Sequence, residues 1–161
     1  MLQAHDEPRR PDDWPDDEPT RPGVRRPRAR VLVVEDDHAM RRLIVTRLLR
    51  DGHDVYQAAS GDEALGLLAA PAADAGPADL HLIDLLVVDV RMPGRSGIEL
   101  LHRLRAGRRR TAALVVTAFP DAGLAESVAR LGARLLAKPF PLERLSDLVL
   151  ASLADASEEP S

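Results

Sequence analysis

The middle of this chain contains the stretch LLVVDVRMPGRSG, which runs from Leu85 to Gly97. Four apolar residues lead directly into Asp89, and the turn-forming residues MPG follow soon after it. A short, uninterrupted apolar run bounded by turn residues is typical of a strand buried on both faces of a parallel sheet. Such a strand places its last residue at the carboxyl edge of the sheet, where open α/β folds bind their ligands. Asp89 is therefore either a site residue or a helix cap.

The alternation of apolar runs and helical patterns continues on both sides of this stretch. Apolar residues at helical spacing follow each predicted strand; in the first helix they are Met40, Leu43, Ile44 and Leu48. Ser60 begins the second helix as part of a capping box. Because strands alternate with helices and such crossovers are right-handed, the sequence predicts an α/β fold. We expect a five-stranded parallel sheet with helices on both faces. The predicted strands are residues 31–34, 55–58, 85–89, 112–116 and 135–137.

Composition divides the chain of 161 residues into three parts. Residues 1–29 are rich in proline and charge and have no apolar periodicity, which predicts a disordered N-terminal tail. Residues 30–154 contain all the predicted strands and helices and are long enough for one domain with a core. Residues 155–161 predict a short disordered C-terminal tail, and residues 69–79, rich in Ala, Pro and Gly, predict a surface loop.

The same composition argues against several classes of function. The formal net charge is −4, so no global basic field favours nucleic acid, and we expect no direct DNA binding. The chain has no cysteine and therefore no disulfide framework or cysteine chemistry. No apolar run is long enough to span a bilayer, and the first twenty residues are too charged for a signal peptide. We therefore expect a cytoplasmic protein without membrane insertion.

Polar residues end or follow four of the predicted strands, and the carboxyl ends of parallel strands share one edge of a sheet. Three carboxylates gathered there repel one another by roughly 4 kcal/mol for each pair at ~4 Å in an effective dielectric near 20. Such a cluster needs a cation or a raised pKa, and an all-oxygen ligand set with room for water suits Mg²⁺. The residues are Glu35 and Asp36 after the first strand, Asp89 ending the third, Thr117 after the fourth and Lys138 after the fifth.

This combination of groups suits the transfer of a phosphoryl group. A metal ion and the Lys138 ammonium would neutralise phosphoryl oxygens, and the Thr117 hydroxyl would donate to one of them, while Asp89 attacks phosphorus in line. Each residue alone has a simpler explanation, and we interpret Asp37 and His38 as nothing more than the start of the first helix. Five polar residues at four strand ends are harder to explain as caps.

The motifs VLVVEDD, LLVVDVRMPGRSG, LVVTA and LLAKPF together resemble the bacterial response-regulator receiver domain over residues 30–154. The resemblance implies a flavodoxin-like (βα)5 fold and a phosphorylation-dependent switch in a two-component system or phosphorelay. It implies that Asp89 accepts a phosphoryl group from a sensor histidine kinase or a histidine phosphotransfer protein. It also implies signalling through protein–protein contacts, with no enzyme activity beyond the protein's own phosphotransfer and dephosphorylation.

The same resemblance assigns further roles at the predicted site. Asp36 and Asp89 would ligate Mg²⁺, Glu35 would act through a water molecule, and the Arg91 backbone carbonyl would complete the protein ligands. Thr117 and Lys138 would bind phosphoryl oxygens. The resemblance also implies that the peptide bond between Lys138 and Pro139 is cis, a form that costs only about 0.5–1 kcal/mol before proline.

The sequence departs from the family pattern at Leu135, where the family usually has an aromatic residue that swings inward behind the threonine. The surface of the fourth helix, fifth strand and fifth helix changes on phosphorylation in the family. We therefore expect a smaller change there, carried mainly by Thr117 and the loop to Asp121. Too few residues follow the predicted domain for an output domain, which favours a stand-alone receiver. Two alternatives remain: a pseudo-receiver that binds partners without phosphorylation, and an Asp-nucleophile phosphohydrolase of the haloacid-dehalogenase type. The second requires another aspartate two residues after the nucleophile, where this chain has Arg91.

Overall fold

The computed structural model describes residues 28–69, 83–107 and 111–158, and within them five strands alternate with five helices. This alternation confirms the predicted fold class. The elements are β1 (Arg30–Val34), α1 (His38–Arg50), β2 (Asp54–Ala58), α2 (Gly61–Ala69), β3 (Leu85–Asp89), α3 (Gly97–Ala106), β4 (Ala112–Thr117), α4 (Ala122–Arg130), β5 (Arg134–Ala137) and α5 (Leu142–Glu158). Most of the predicted N-terminal tail and of the predicted 69–79 loop lies outside the described residues.

The five strands form one parallel sheet with the order β2-β1-β3-β4-β5. The chain leaves β1 in one direction to reach β2 and returns past β1 to reach β3, so the switch point of the topology lies between β1 and β3. The register places Val34 beside Val88 and Asp89 beside Val116. The ends of these strands therefore meet at one carboxyl edge, on either side of the crevice where such sheets bind ligands.

Alternate residues of each strand face two separate apolar layers. Val31 and Val33 pack with α1 and α5, whereas Leu32 and Val34 pack with α2, α3 and α4. Leu43, which the sequence placed in the apolar stripe of α1, is instead 46% exposed. Ile44 and Leu48 are fully buried and are the α1 residues that reach the sheet.

Side-chain caps fix the starts of the helices next to the carboxyl edge. Asp37 caps α1, because its Oδ1 accepts a hydrogen bond from the Met40 amide at 2.7 Å. Ser60 caps α2 as predicted, since it accepts from the Glu63 amide at 3.1 Å, but the Glu63 side chain accepts from the Ala59 amide at 2.7 Å and not from the Ser60 amide of a capping box. These caps set where each helix leaves the loop that follows a strand, and so they set the shape of the carboxyl edge.

The folded part of the chain extends beyond the predicted 30–154 boundaries at both ends. Ala29 is buried, and its carbonyl accepts from the Asp54 amide at 2.9 Å, which continues the pairing of β1 with β2 by one residue. At the other end, α5 continues to Glu158 and carries Asp155, whose Oδ2 accepts from Arg134 at 2.6 Å. Tertiary contacts with β2 and β5 order these residues, which composition alone assigned to tails.

Candidate functional site

Polar side chains from four strand ends converge at the carboxyl edge of the sheet. Glu35 and Asp89 are buried beside the switch point, whereas Asp36, which follows Glu35 in the chain, is exposed. Carboxylate oxygens of these three residues all lie within 4.8 Å of one another. Thr117, at the end of β4, is buried one strand further along, and Lys138 follows β5. The structure therefore brings together all five polar residues that the sequence placed at strand ends.

The Lys138 ammonium connects the two buried carboxylates. Its Nζ donates to Glu35 Oε2 at 2.8 Å and to Asp89 Oδ2 at 3.1 Å. The Lys138 backbone amide also donates to the Thr117 carbonyl at 2.7 Å, which ties the loop after β5 to the end of β4. The peptide bond between Lys138 and Pro139 is cis, as the resemblance implied. One ammonium group thus lies in a cluster of three carboxyl groups, of which Glu35 and Asp89 are buried.

The surroundings of Glu35 favour its neutral form. Burial, reinforced by the nearby negative charge of Asp89, raises the pKa of the Glu35 carboxyl to about 7 against the opposing hydrogen bonds from Lys138 and from the Asp37 amide. The pKa of Lys138 is also raised, because its hydrogen bonds to Glu35 and Asp89 outweigh the effect of burial, which acts in the opposite direction. At neutral pH the site therefore holds excess negative charge and one partly protonated carboxyl, which is the electrostatic signature expected of a cation site.

Backbone amides hold the Asp89 carboxylate and the Thr117 hydroxyl in defined orientations. Asp89 Oδ1 accepts from the Arg91 amide at 3.3 Å, so both carboxylate oxygens of Asp89 have a partner. Thr117 Oγ1 accepts from the Phe119 amide at 3.1 Å. Because the hydroxyl oxygen is the acceptor in that bond, its own hydrogen remains available to donate to a ligand in the crevice.

Two residues important for the geometry were missed by sequence reasoning. Gly97 begins α3 against the backbone of β3, and a Cβ at this position would lie 2.2 Å from the Asp89 carbonyl oxygen. Arg41 in α1 donates through Nη1 to the Glu35 carbonyl at 2.8 Å and through Nε to Gln57 at 3.2 Å. A glycine in the first turn of a helix was the available signal for Gly97, since glycine is a poor helix former. Arg41 carried no signal beyond its position in α1.

Two large side chains lie at the rim of the site. The Arg91 guanidinium carbon lies 4.4 Å from the centre of the Phe119 ring, which is a cation–π contact, and Phe119 is 60% exposed. Leu135 pairs in register with Val115 and packs, partly buried, against the apolar layer of α2, α3 and α4. Its expected part in the conformational switch remains a prediction.

The chemistry of this donor set fits Mg²⁺. Its ligand atoms are oxygens, they come from three carboxylates within one ion's reach, and the exposed Asp36 leaves the site open to water. Mg²⁺ prefers this kind of partly hydrated carboxylate site. The one ammonium present, on Lys138, does not balance the three carboxylates, so a divalent cation would bring the site close to neutrality.

Comparison with known proteins agrees with this geometry. The family model for the response regulator receiver domain matches residues 31–150. The regulatory protein AtoC of Escherichia coli is 32% identical over 125 residues, which cover 77% of this chain and 25% of AtoC. Sporulation initiation phosphotransferase F of Bacillus subtilis is 27% identical over 121 residues, which cover 74% of this chain and 90% of that protein. This chain thus spans about a quarter of one of these relatives and most of the other.

A solved structure supports the same assignment. The response regulator receiver protein of Pseudomonas putida superimposes with a TM-score of 0.65 at 31% sequence identity, covering 76% of this chain and 96% of that one. The fold and its acidic carboxyl edge define a phosphorylation-dependent signalling domain of two-component systems. The chain belongs to the response-regulator receiver family. Within the described residues, no helix has the length and apolar character needed to cross a membrane.

Proposed function

We propose that Asp89 is the phosphoacceptor of this receiver and that it takes a phosphoryl group from a phosphohistidine of a sensor kinase or phosphotransfer protein. The observation that carries this proposal is the Lys138 bridge, in which one ammonium contacts both Glu35 and Asp89. The bridge supplies a positive charge next to Asp89 where phosphoryl oxygens would arrive. Neither a helix cap nor a simple surface ion pair requires a half-buried lysine that contacts two buried carboxylates.

The transfer step follows from the groups at this edge. An oxygen of the Asp89 carboxylate attacks phosphorus, the bond between phosphorus and the histidine nitrogen breaks, and its electron pair returns to the imidazole ring. Lys138 then exchanges its contact with the Asp89 carboxylate for a phosphoryl oxygen, and the Thr117 hydroxyl donates to another. This exchange relocates a charged group and a buried hydroxyl, which is the change that a binding partner would sense.

Glu35 through a water molecule, Asp36, Asp89 and the Arg91 carbonyl are the groups proposed to hold Mg²⁺. When bound, the ion withdraws negative charge from the phosphoryl oxygens. The protein contributes position and orientation, since the Arg91 amide and the Lys138 ammonium each donate to one oxygen of the Asp89 carboxylate. On this proposal the protein is a switch that catalyses only its own phosphorylation and dephosphorylation, acts in the cytoplasm and signals through protein contacts.

The direct experiment is incubation with acetyl phosphate and Mg²⁺, followed by intact-mass measurement. We expect the wild-type protein to gain the mass of one phosphoryl group and Asp89→Asn to gain none. Asp147→Asn, which changes an exposed aspartate on α5, is the matched control and should be phosphorylated like wild type. Phosphorylation of the Asp89 variant at the wild-type rate would show that the acceptor is elsewhere, and steady hydrolysis of added phosphate esters would indicate a phosphohydrolase instead.

Metal binding is tested separately by calorimetry. We expect wild-type protein to bind Mg²⁺ and Asp36→Ala to bind it more weakly, because the variant loses one of three carboxylates that converge within 4.8 Å. Asp62→Ala, an exposed aspartate on α2, provides the control. An unchanged affinity in the Asp36 variant would remove this residue from the proposed ligands.

A further inference from the structure

A second polar cavity lies at the opposite, amino edge of the sheet. It has a volume of about 340 Å³ and lies between the first residues of β4 and β5 and the last turns of α3, α4 and α5. The cavity lies at Ala112, the first residue of β4, and Thr117 is the last residue of this strand, roughly 17 Å away along an extended backbone. Its size is at the lower end of the range for small-molecule sites, about 300–1,000 Å³. The polar side chains that line it are Arg105, Thr111, Arg130, Arg134, Ser152 and Asp155.

The charged lining of the cavity is predominantly positive, with three guanidinium groups and one carboxylate. Arg105 is held in place because it donates to the Leu131 carbonyl, at the C-terminal end of α4, at 2.9 Å. Arg130 pairs with Glu126, and Arg134 pairs with Asp155, but all four side chains of these two pairs are at least 40% exposed. Exposed ion pairs contribute little free energy, so an incoming anion can take over these guanidinium groups at low cost.

Ser152, whose buried hydroxyl has no partner, also lines this cavity. Ser152 is 5% exposed, and among the residues that the structure describes its Oγ is the one buried side-chain polar atom with no hydrogen bond. The other serines of α5 that the structure pairs have acceptors: Ser146 donates to the Asp51 carboxylate, and Ser157 donates to the Leu153 carbonyl four residues earlier at 2.9 Å. Ser152 has no acceptor, and leaving a buried hydroxyl unpaired costs about 1–3 kcal/mol. A ligand oxygen in the cavity would supply the missing partner.

The remaining walls are apolar and are formed by Ala112, Ala113, Leu131 and Ala156. A ligand that fits the whole lining therefore combines an anionic group, which the arginines bind, with a compact apolar body. We propose that this cavity binds a small organic phosphate monoester, with the phosphate on Arg130 and Arg134 and an oxygen of the ligand accepting from Ser152. Guanidinium groups bind phosphate through paired, charge-assisted hydrogen bonds, which makes them better suited to this role than lysines. This site is independent of the proposed phosphoacceptor.

Titration of the full chain with AMP, ribose 5-phosphate and inorganic phosphate, followed by NMR in EDTA, tests the proposal. We expect AMP to shift amide signals of residues around the cavity, with an affinity that falls as salt is raised. Ribose 5-phosphate, which lacks the base, and inorganic phosphate should bind progressively more weakly. Equal affinities for AMP and inorganic phosphate would overturn the proposal that the apolar walls contact the ligand, and the absence of shifts with all three would overturn the site.

Variants separate this cavity from general attraction to a basic protein. Arg134→Gln should weaken AMP binding about tenfold or more. Ser152→Ala should weaken it roughly threefold without lowering the melting temperature of the free protein, because it removes an unpaired hydroxyl. Arg103→Gln, an exposed arginine of α3 that does not line the cavity, and Asp89→Asn at the other edge should bind AMP like wild type.

Two outcomes of the variant series would contradict the site. The first is that Ser152→Ala and Arg134→Gln both bind AMP as wild type does. The second is that binding is lost only when Arg108, Arg109 and Arg110, which lie outside the described residues, are changed together to glutamine. Either result would assign the AMP signal to diffuse electrostatic attraction and not to the cavity.

Discussion

The carboxyl edge and the amino edge of the sheet both collect charged side chains, but they hold them in different environments. At the carboxyl edge, Glu35 and Asp89 are buried and share one lysine. At the amino edge, the pairs between Arg134 and Asp155 and between Arg28 and Asp54 are largely exposed. Water screens the second set far more than the buried carboxylates of the first, so the charges at the two edges have unequal energetic consequences.

This difference shows how one small fold can combine a buried charged site that acts as a switch with exposed ion pairs that can exchange partners. Buried charges respond strongly to any change of neighbour, which is what a switch triggered by one phosphoryl group requires. Exposed pairs exchange partners easily, which is what reversible binding of an anion requires. The following predictions test whether the two edges differ to the extent that burial implies.

The largest effect should come from filling the space next to the Asp89 backbone. Gly97→Ala would place a Cβ 2.2 Å from the Asp89 carbonyl oxygen, so α3 and β3 must separate. We expect the free energy of unfolding, measured in urea, to fall by about 3 kcal/mol. Gly66→Ala on α2 is the matched control: a Cβ there meets nothing within 4 Å, and the substitution should stabilise the protein by about 0.5–1 kcal/mol. Equal stability of the two variants would show that the carboxyl edge is not tightly packed.

A smaller effect is expected at the rim of the proposed phosphoacceptor. The Arg91 side chain stacks on Phe119. We propose that this pair covers part of the approach to Asp89, where it provides no group that activates water. We expect the phosphorylated protein to be long-lived and the double variant Arg91→Asn with Phe119→Glu to lose its phosphoryl group roughly tenfold faster. The measurement is the decay of the phosphorylated mass after the donor is removed, with Arg103→Asn as the control. Equal or slower decay in the double variant would mean that the pair does not shield the site.

The pH dependence of stability should reveal the buried Glu35 carboxyl. Because burial raises its pKa in the folded protein to about 7, from an ordinary value of 4.5, folding favours the protonated form. That stabilisation is complete below pH 4.5 and is lost as the pH rises through 7. In EDTA, wild type should therefore lose stability between about pH 4.5 and pH 7 relative to Glu35→Gln, which is neutral throughout. The raised pKa of Lys138 adds nothing in this window, since lysine is charged on both sides of it.

Thermal melts of the two proteins at several pH values provide the test of this effect. Glu99→Gln, which changes an exposed carboxylate on α3, should retain the wild-type pH dependence. A pH profile of Glu35→Gln that parallels wild type would show that Glu35 titrates normally. The burial of Glu35 would then not distinguish the electrostatics of the carboxyl edge from those of the amino edge.

The smallest effect should come from the amino edge. Arg28 contacts Asp54 at 2.6 Å, but its side chain is 74% exposed. We expect Arg28→Ala to change the melting temperature by less than about 1 °C, because the energy of an exposed pair is largely offset by solvent screening and side-chain entropy. Asp54→Asn probes the same pair and leaves the backbone bond from residue 54 to Ala29 in place. A loss of several degrees in the melting temperature of either variant would show that charges at the amino edge affect stability as strongly as those at the carboxyl edge.

Sequence reasoning located the acidic site because the site follows from local order along the chain. Each apolar run ends in a polar residue, and parallel strands deliver those ends to a common edge, so Asp89, Thr117 and Lys138 are predictable neighbours. Caps are local in the same way, and the caps at Asp37 and Ser60 were both predicted correctly. In contrast, Leu43 satisfied the helical spacing but is exposed, since spacing gives the width of an apolar stripe and not which residue at its margin reaches the sheet.

The role of Gly97 and the presence of the amino-edge cavity could be recognised only in the tertiary structure. The distance from Gly97 to the Asp89 carbonyl depends on how closely α3 packs on β3, and no linear pattern encodes that distance. The cavity combines Arg105, Arg134 and Ser152 from three elements far apart in the chain, whose proximity exists only after α5 has packed across the sheet. Strand order, strand ends and helix caps depend on interactions between near neighbours, which the amino-acid order specifies directly. The burial of Glu35 and the unpaired hydroxyl of Ser152 depend on which distant groups exclude water, and only the packed fold determines that.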